Sequence, residues 1–210
     1  MLSITKVANK TLLSNTYIIF PNNIKSVWVL DPGDNLSLLD YVLKSNRELK
    51  GVLVTHSHFD HICGINNLTF EFPKVDIYAS EEALKGLRSS KINMSIYTDF
   101  PFKIKGGNLI PVYNNSSILL DDELLATVIL TPGHSNDCVS FHIDNYLFTG
   151  DSLIPGIKVH TKSKGANTEL ANLSINQIFK NYCPETIVCP GHGDIKPLKE
   201  IIITDCLTKH

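Results

Sequence analysis

Short apolar runs alternate along the chain with segments in which apolar residues recur three or four positions apart. Thr16-Tyr17-Ile18-Ile19-Phe20 and Val27-Trp28-Val29-Leu30 are rich in β-branched and aromatic residues and predict strands. Leu36, Leu39 and Leu43 then share one face of a helix over 36–43. The run Gly51-Val52-Leu53-Val54-Thr55 predicts a buried strand that stops abruptly at His56, which leaves the following polar segment in a loop at the strand's C-terminal end. A further strand is predicted over 75–79, with Ser80-Glu81-Glu82 starting a helix.

The second half repeats this grammar. A strand over 124–130 ends in Thr131-Pro132-Gly133-His134, and a hairpin over 139–148, turning at Asp144-Asn145, runs into Thr149-Gly150-Asp151. A helix over 168–182 precedes a last strand over 186–189, which ends in Pro190-Gly191-His192-Gly193. The stretch 108–117, with its Asn-Asn-Ser-Ser run, reads as the least structured part. Patterning alone thus gives an alternating α/β protein with two similar halves. No linker or short repeat divides the 210 residues, so a single domain over 1–210 is expected.

Composition narrows the function classes. A 43% hydrophobic and 19% charged chain is ordinary globular material and can bury a sizeable core. A net charge of -2 without a basic run gives no electrostatic reason to expect nucleic acid as a partner. The N-terminus lacks a basic segment followed by an apolar run, and Ile201-Ile202-Ile203 is far too short to span a bilayer, so a cytoplasmic protein without a membrane partner is expected. The 5 cysteines are odd in number and form no Cys-x-x-Cys pair, which argues against a disulfide framework and a thiolate zinc knuckle. Cys63 reads as a packing residue.

Chemistry concentrates in His56-Ser57-His58-Phe59-Asp60-His61. Imidazole nitrogens and carboxylate oxygens suit zinc, and so many within one short segment can begin two metal sites rather than one. His56 and His58 can project together toward one metal, while Asp60 and His61 turn toward a second as the chain enters a helix. His134, Asp151 and His192 each follow a glycine where an apolar run ends, and glycine permits close backbone approach or positive φ. His142 is not a candidate, because strand alternation points it opposite Phe141, and His210 is terminal. The lysine-rich segment 158–164 around His160 follows Asp151 closely and has two readings, a solvated loop first and cationic groups set beside a substrate second.

His56-Ser57-His58-Phe59-Asp60-His61, Thr131-Pro132-Gly133-His134-Ser135, Phe148-Thr149-Gly150-Asp151 and Pro190-Gly191-His192 resemble, in order, the metal motifs of the metallo-β-lactamase superfamily. Among its members the chain most resembles the glyoxalase II-like group. The resemblance implies an αββα sandwich: two mixed β-sheets face to face, flanked by helices. It implies that His56, His58 and His134 hold a first metal, that Asp60, His61 and His192 hold a second, and that Asp151 bridges them. Asp31, in Leu30-Asp31-Pro32-Gly33-Asp34, would support the site from behind. Two Zn2+ ions per chain are expected, with iron or manganese acceptable to the same ligands.

The implied activity is hydrolysis by a hydroxide held between the metals, oriented by Asp60 as catalytic residue, on a thioester or related small ester carrying an anionic group. A lactonase or phosphodiesterase on the same site, or a mono-iron persulfide dioxygenase, is the alternative. Ile154 stands where the resembling lactonases carry tyrosine, which disfavours the lactone. Substrate choice would lie in the loops 152–168 and 91–108.

Overall fold

The structure is a computed structural model and describes residues 2–21, 25–34, 40, 42, 44 and 46–208. Among the described residues, two six-stranded mixed sheets account for all named strands. The first runs in chain order through β1 (Ser3–Ala8), β2 (Asn15–Phe20), β3 (Ser26–Leu30), β4 (Glu48–Leu53), β5 (Asp76–Ser80) and β6 (Asn108–Val112). Its first three strands are antiparallel neighbours, and β3 to β6 are parallel. The second comprises β7 (Ser117–Leu119), β8 (Leu125–Leu130), β9 (Val139–Ile143), β10 (Tyr146–Gly150), β11 (Ile187–Pro190) and β12 (Lys196–Pro197), likewise in chain order. Here only β10 and β11 pair in parallel.

Both faces of each sheet are covered, which explains strands that read as continuous apolar runs. Along β2, Tyr17 and Ile19 point between the sheets, whereas Ile18 and Phe20 point outward. The inward set meets Ala126, Val128, Phe141, Ile143 and Phe148 of the second sheet. Tyr17 and Phe148 pack edge-on with ring centroids 5.2 Å apart. The outward face of the first sheet is covered by α1 (Phe59–Ile62), α2 (Ile65–Glu71) and α3 (Glu81–Leu87). Ala171, Ile175 and Ile178 of α4 (Thr168–Asn181) cover Leu147 and Val188 on the far side, with α5 (Ile203–Cys206) beside them. Four layers result, in the order αββα. No helix among the described residues is long and apolar enough to cross a membrane.

Local chemistry fixes the helix starts. The Ser80 hydroxyl accepts the Ala83 N–H at 3.1 Å to begin α3, as the Ser-Glu-Glu signal predicted, and Asn167 caps α4 by accepting the Leu170 N–H at 2.9 Å. Of the helix read over 36–43, Leu36, Leu39 and Leu43 lie outside the described residues; Asp40 and Val42 are helical.

Two expectations need correction. The stretch 108–117 is not irregular throughout: residues 108–112 form β6, paired to β5 from Asp76↔Asn108 to Ser80↔Val112. Asn108 starts it by donating to the Lys74 carbonyl and the Asp76 carboxylate, each at 3.0 Å. Pro111 is tolerated because β6 is an edge strand with one partner. The turn confined to 113–116 absorbs the Asn-Asn-Ser-Ser run, with Asn115 at φ +63°. The second correction is β1, which sequence patterning passed over because it is half exposed and mixes Ser, Thr and Lys with its apolar residues.

Gly51 shows how closely adjacent strands pack. It sits opposite Trp28, and a Cβ there would lie 2.3 Å from the indole Cζ3. The indole Nε1 donates to the Leu120 carbonyl at 3.0 Å, so the ring is anchored across the sandwich and is not free to swing aside. Gly51→Ala should destabilise the fold by about 1–3 kcal/mol. Urea unfolding followed by Trp28 fluorescence measures this, and an unchanged midpoint would show that the ring yields freely.

Candidate metal centre

The site lies at one edge of the sandwich, where the C-terminal ends of β3, β4, β8, β10 and β11 deliver Asp31, the 56–61 segment, His134, Asp151 and His192. All seven sequence-predicted ligands come together there. His134 Nε2 lies 2.9 Å from His58 Nδ1 and 3.5 Å from Asp151 Oδ2. His61 Nε2 lies 3.3 Å from His192 Nε2, 3.3 Å from Asp60 Oδ2 and 3.5 Å from Asp151 Oδ1. His192 Nε2 in turn is 3.4 Å from Asp60 Oδ2 and 3.5 Å from Asp151 Oδ2. The ligand atoms of His56, His58 and His134, and those of Asp60, His61 and His192, each lie within 4.8 Å of one another.

Hydrogen bonds behind the rings select which nitrogen faces inward. His61 Nδ1 donates to Asp31 Oδ2 at 3.2 Å, and His134 Nδ1 donates to the His160 carbonyl at 3.1 Å. The Thr55 hydroxyl donates to Asp31 Oδ2 at 2.6 Å, so its lone pair is left to receive His56 Nδ1–H at 3.1 Å. The Nε2 atoms of His56, His61 and His134 are thereby aimed at the cluster. Two buried atoms there have no hydrogen-bond partner at all, His56 Nε2 and Asp151 Oδ1. Buried polar atoms are almost always satisfied, and a divalent cation satisfies both kinds at once. Asp31, His56 and His61 form a third close group, but both Asp31 oxygens are engaged by the Thr55 backbone and hydroxyl and by His61, so Asp31 is a support.

The electrostatics favour a cation. Burial would drive the His61 pKa down, yet Asp60, Asp151 and Asp31 around the ring hold it up at about 10. Burial likewise opposes ionisation of Asp60, but His61 and His192 outweigh it and bring the carboxyl to about 2. His56, wholly buried among other imidazoles, is pushed well below the ordinary histidine value by burial and then by those neighbours. His58 falls to about 4, through burial first and His134 second. One flank of the cluster thus presents neutral nitrogens, and the other presents carboxylates around a positive charge.

Two glycines make room for this convergence. A Cβ on Gly191 would stand 2.2 Å from Asp151 Oδ1, and one on Gly150, at φ +49°, would stand 2.4 Å from the Thr55 hydroxyl. Neither neighbour can retreat without dismantling the ligand set.

Sequence reasoning missed Asp137. Its buried carboxylate accepts the Ser57 N–H at 3.0 Å and the Ser57 hydroxyl at 2.5 Å through Oδ2, and the Ser135 hydroxyl through Oδ1. One side chain therefore staples the His56-Ser57-His58 loop to the His134 loop. Its nearness to His134 in the chain was the available signal. His160 matters through its backbone carbonyl, whereas the segment around it is otherwise largely exposed as predicted. Cys63 sits at the end of α1, its thiol pushed up to about 12 by burial and then by Asp34 and Asp60, which leaves it unreactive. His142 points away and packs on the Tyr182 ring at 4.9 Å.

A sequence model of the Metallo-beta-lactamase superfamily matches residues 10–192. Hydroxyacylglutathione hydrolase of Buchnera aphidicola subsp. Baizongia pistaciae is 31% identical over 150 residues, covering 71% of this chain and 52% of its own. The enzyme of that name from Pseudoalteromonas translucida is 31% identical over 150 residues, covering 68% and 48%. The chain thus spans about half the length of these curated relatives. Among solved structures, the BLEG-1 B3 metallo-beta-lactamase superposes with a TM-score of 0.85 at 26% identity, over 94% of this chain and 95% of that one. TTHA1623 in a di-iron-bound form superposes with a TM-score of 0.80 at 23% identity, over 93% and 96%.

Removing the Asp137 carboxylate strands the buried Ser57 N–H and frees the loop that carries His56 and His58. Asp137→Ala should lower stability by about 1–3 kcal/mol and lower the affinity for added divalent metal about 10–100-fold. Denaturation and metal titration read the two effects separately. Full metal affinity in a destabilised variant would show that the staple serves folding alone.

Proposed function

The chain belongs to the metallo-β-lactamase superfamily, and from that premise we propose that it is a metal-dependent hydrolase acting on thioesters or related small esters. His56, His58 and His134 would hold one ion; Asp60, His61 and His192 would hold the other, with Asp151 shared between them. The observation that carries this assignment is the pair of orphaned atoms, His56 Nε2 and Asp151 Oδ1, among rings held from behind by Thr55, Asp31 and the His160 carbonyl. Zinc is the preferred occupant on donor chemistry, two ions per chain, although the same nitrogen and carboxylate donors accept iron or manganese. When bound, such ions supply a water of lowered pKa and an electrophilic contact for the oxygen that becomes negative in the transition state.

The chain's own groups do the rest. Asp60 remains ionised far below neutral pH, so its carboxylate is available to accept a hydrogen bond from the attacking water and fix its direction. Its main chain is pinned as well, because the Ser14 hydroxyl donates to the Asp60 carbonyl at 2.8 Å. No side-chain nucleophile is needed, in keeping with the inert Cys63 thiol. The thioester preference is supported by the hydroxyacylglutathione hydrolases among the relatives and by Ile154, a buried apolar side chain just beyond Asp151. The proposed setting is cytoplasmic, with a small anionic substrate and no nucleic acid.

Metal analysis of the purified protein, joined to a panel of thioesters, lactones and phosphodiesters, tests this reading. Two zinc ions per chain and fastest turnover of thioesters are expected. Asp60→Ala should reduce both metal content and kcat, the latter by about 100-fold or more. One iron per chain with sulfite as product would overturn the assignment, as would Asp60→Ala with full metal and full activity.

A further inference from the structure

A cavity of 390 Å³, also lined by Glu82, is walled by the 91–97 loop, by Asn136 and by Lys164 with Gly165, three elements that adjoin the segments carrying His58 and His134. Its size is that of a small-molecule pocket. Each wall is joined directly to an element that positions His58 or His134. The first wall, 91–97, is tied in where the Phe59 N–H, next to His58, donates to the Asn93 carbonyl at 2.9 Å. Asn136, in the second, lies two residues from His134. Lys164 and Gly165, in the third, follow closely on His160, whose carbonyl holds the His134 ring.

The pocket is preformed. Asn93, fully buried, donates to the Phe102 carbonyl at 3.1 Å and accepts the Ser95 N–H at 2.9 Å. The Ser95 hydroxyl donates to that same carbonyl at 3.1 Å and accepts the Phe102 N–H at 3.0 Å. This network holds Met94 at φ +65°, an unfavourable conformation for a residue with a Cβ, and so fixes the loop beside the cavity.

Its chemistry is asymmetric. The negative charge of Glu82 is already engaged by Lys85 on the same helix, whereas Lys91 and Lys164 have no ion-pair partner among the described residues. Two exposed lysines therefore border a cavity whose remaining wall includes Ile92, Met94 and Tyr97. We propose that this pocket binds the anionic arm of the substrate: a carboxylate-bearing chain with an apolar stem, its charges on Lys91 and Lys164 and its stem against Met94 and Tyr97. The proposal rests on the thioester reading for what is attached to that arm, and names where specificity for charge resides.

The test is direct binding by calorimetry of S-hexylmercaptosuccinate, a thioether dicarboxylate that cannot be hydrolysed as a thioester, and of its uncharged diamide, to the protein. The diacid should bind about tenfold tighter than the diamide, and Lys91→Glu and Lys164→Glu should each weaken the diacid about threefold while leaving the diamide unchanged. Tyr97→Ala should weaken both probes alike. Equal affinity for the two probes overturns the proposal, and so does a diacid preference that survives both lysine reversals, since the carboxylates would then be bound elsewhere. Absence of thioester turnover with this binding pattern intact would count against the thioester reading alone. Thioester turnover without the binding pattern would count against the pocket alone.

Discussion

The Asp31 carboxylate, with no exposure to solvent, is the interaction on which the site depends. Burial raises its pKa, opposed by its bond to His61, by the His61 charge and by its bonds to Thr55. A buried carboxylate is tolerable only when its lone pairs are taken. Here they receive the Thr55 N–H at 2.8 Å, the Thr55 hydroxyl at 2.6 Å and the His61 ring at 3.2 Å. Those bonds tie the end of β3 to the end of β4 and to α1. They also orient two proposed ligands: His61 directly, and His56 through the Thr55 hydroxyl. Asp31 itself sits at φ +49°, so its backbone is bent into a sparsely populated conformation to deliver the side chain. The sandwich supplies the rigidity that keeps it there.

The same logic runs through the second sheet with backbone in place of carboxylate. The His134 ring is held by the His160 carbonyl, and the 190–193 turn is held by β2. Asn15 donates through its backbone N–H to Gly191 at 2.7 Å and through its side chain to Pro190 and Gly193, each at 3.0 Å, while the Tyr17 hydroxyl donates to Pro190 at 2.7 Å. Residues 175 positions apart in sequence thereby fix one another. The metal edge is where the sheets are cross-linked by polar bonds, while their shared interior is sealed by Tyr17, Phe141 and Phe148.

Much of this was legible in the chain. Motifs ending apolar runs marked the histidines and aspartates that converge, because a strand end is where a side chain can leave the core without breaking a ladder. The four-layer order came from resemblance, since periodicity cannot say which faces of two sheets meet. What stayed hidden were partnerships whose members are far apart. Nothing local to Ser57 announces Asp137, 80 residues away, and nothing local to His134 announces that a main-chain oxygen 26 residues on will choose its tautomer. The β6 strand was hidden for a different reason: its pairing is decided by β5 alongside it, which overrides the Pro and Asn in its own sequence.

The loops that carry no ligand are also not free of the ligands. Each wall of the lysine-flanked cavity is joined to the 56–61 segment or to His134, one by a hydrogen bond at Phe59 and another through the residues that follow His160. A change in loop conformation therefore pulls on the first histidine triad, and a change in the triad pulls on the loop. The proposed ligands and the cavity loops, which the sequence presents as separate motifs and spacers, are mechanically one assembly. The few bonds at Phe59, Asn93, His134 and His160 carry that coupling in this chain, and the cavity-facing side chains between them take no part in it.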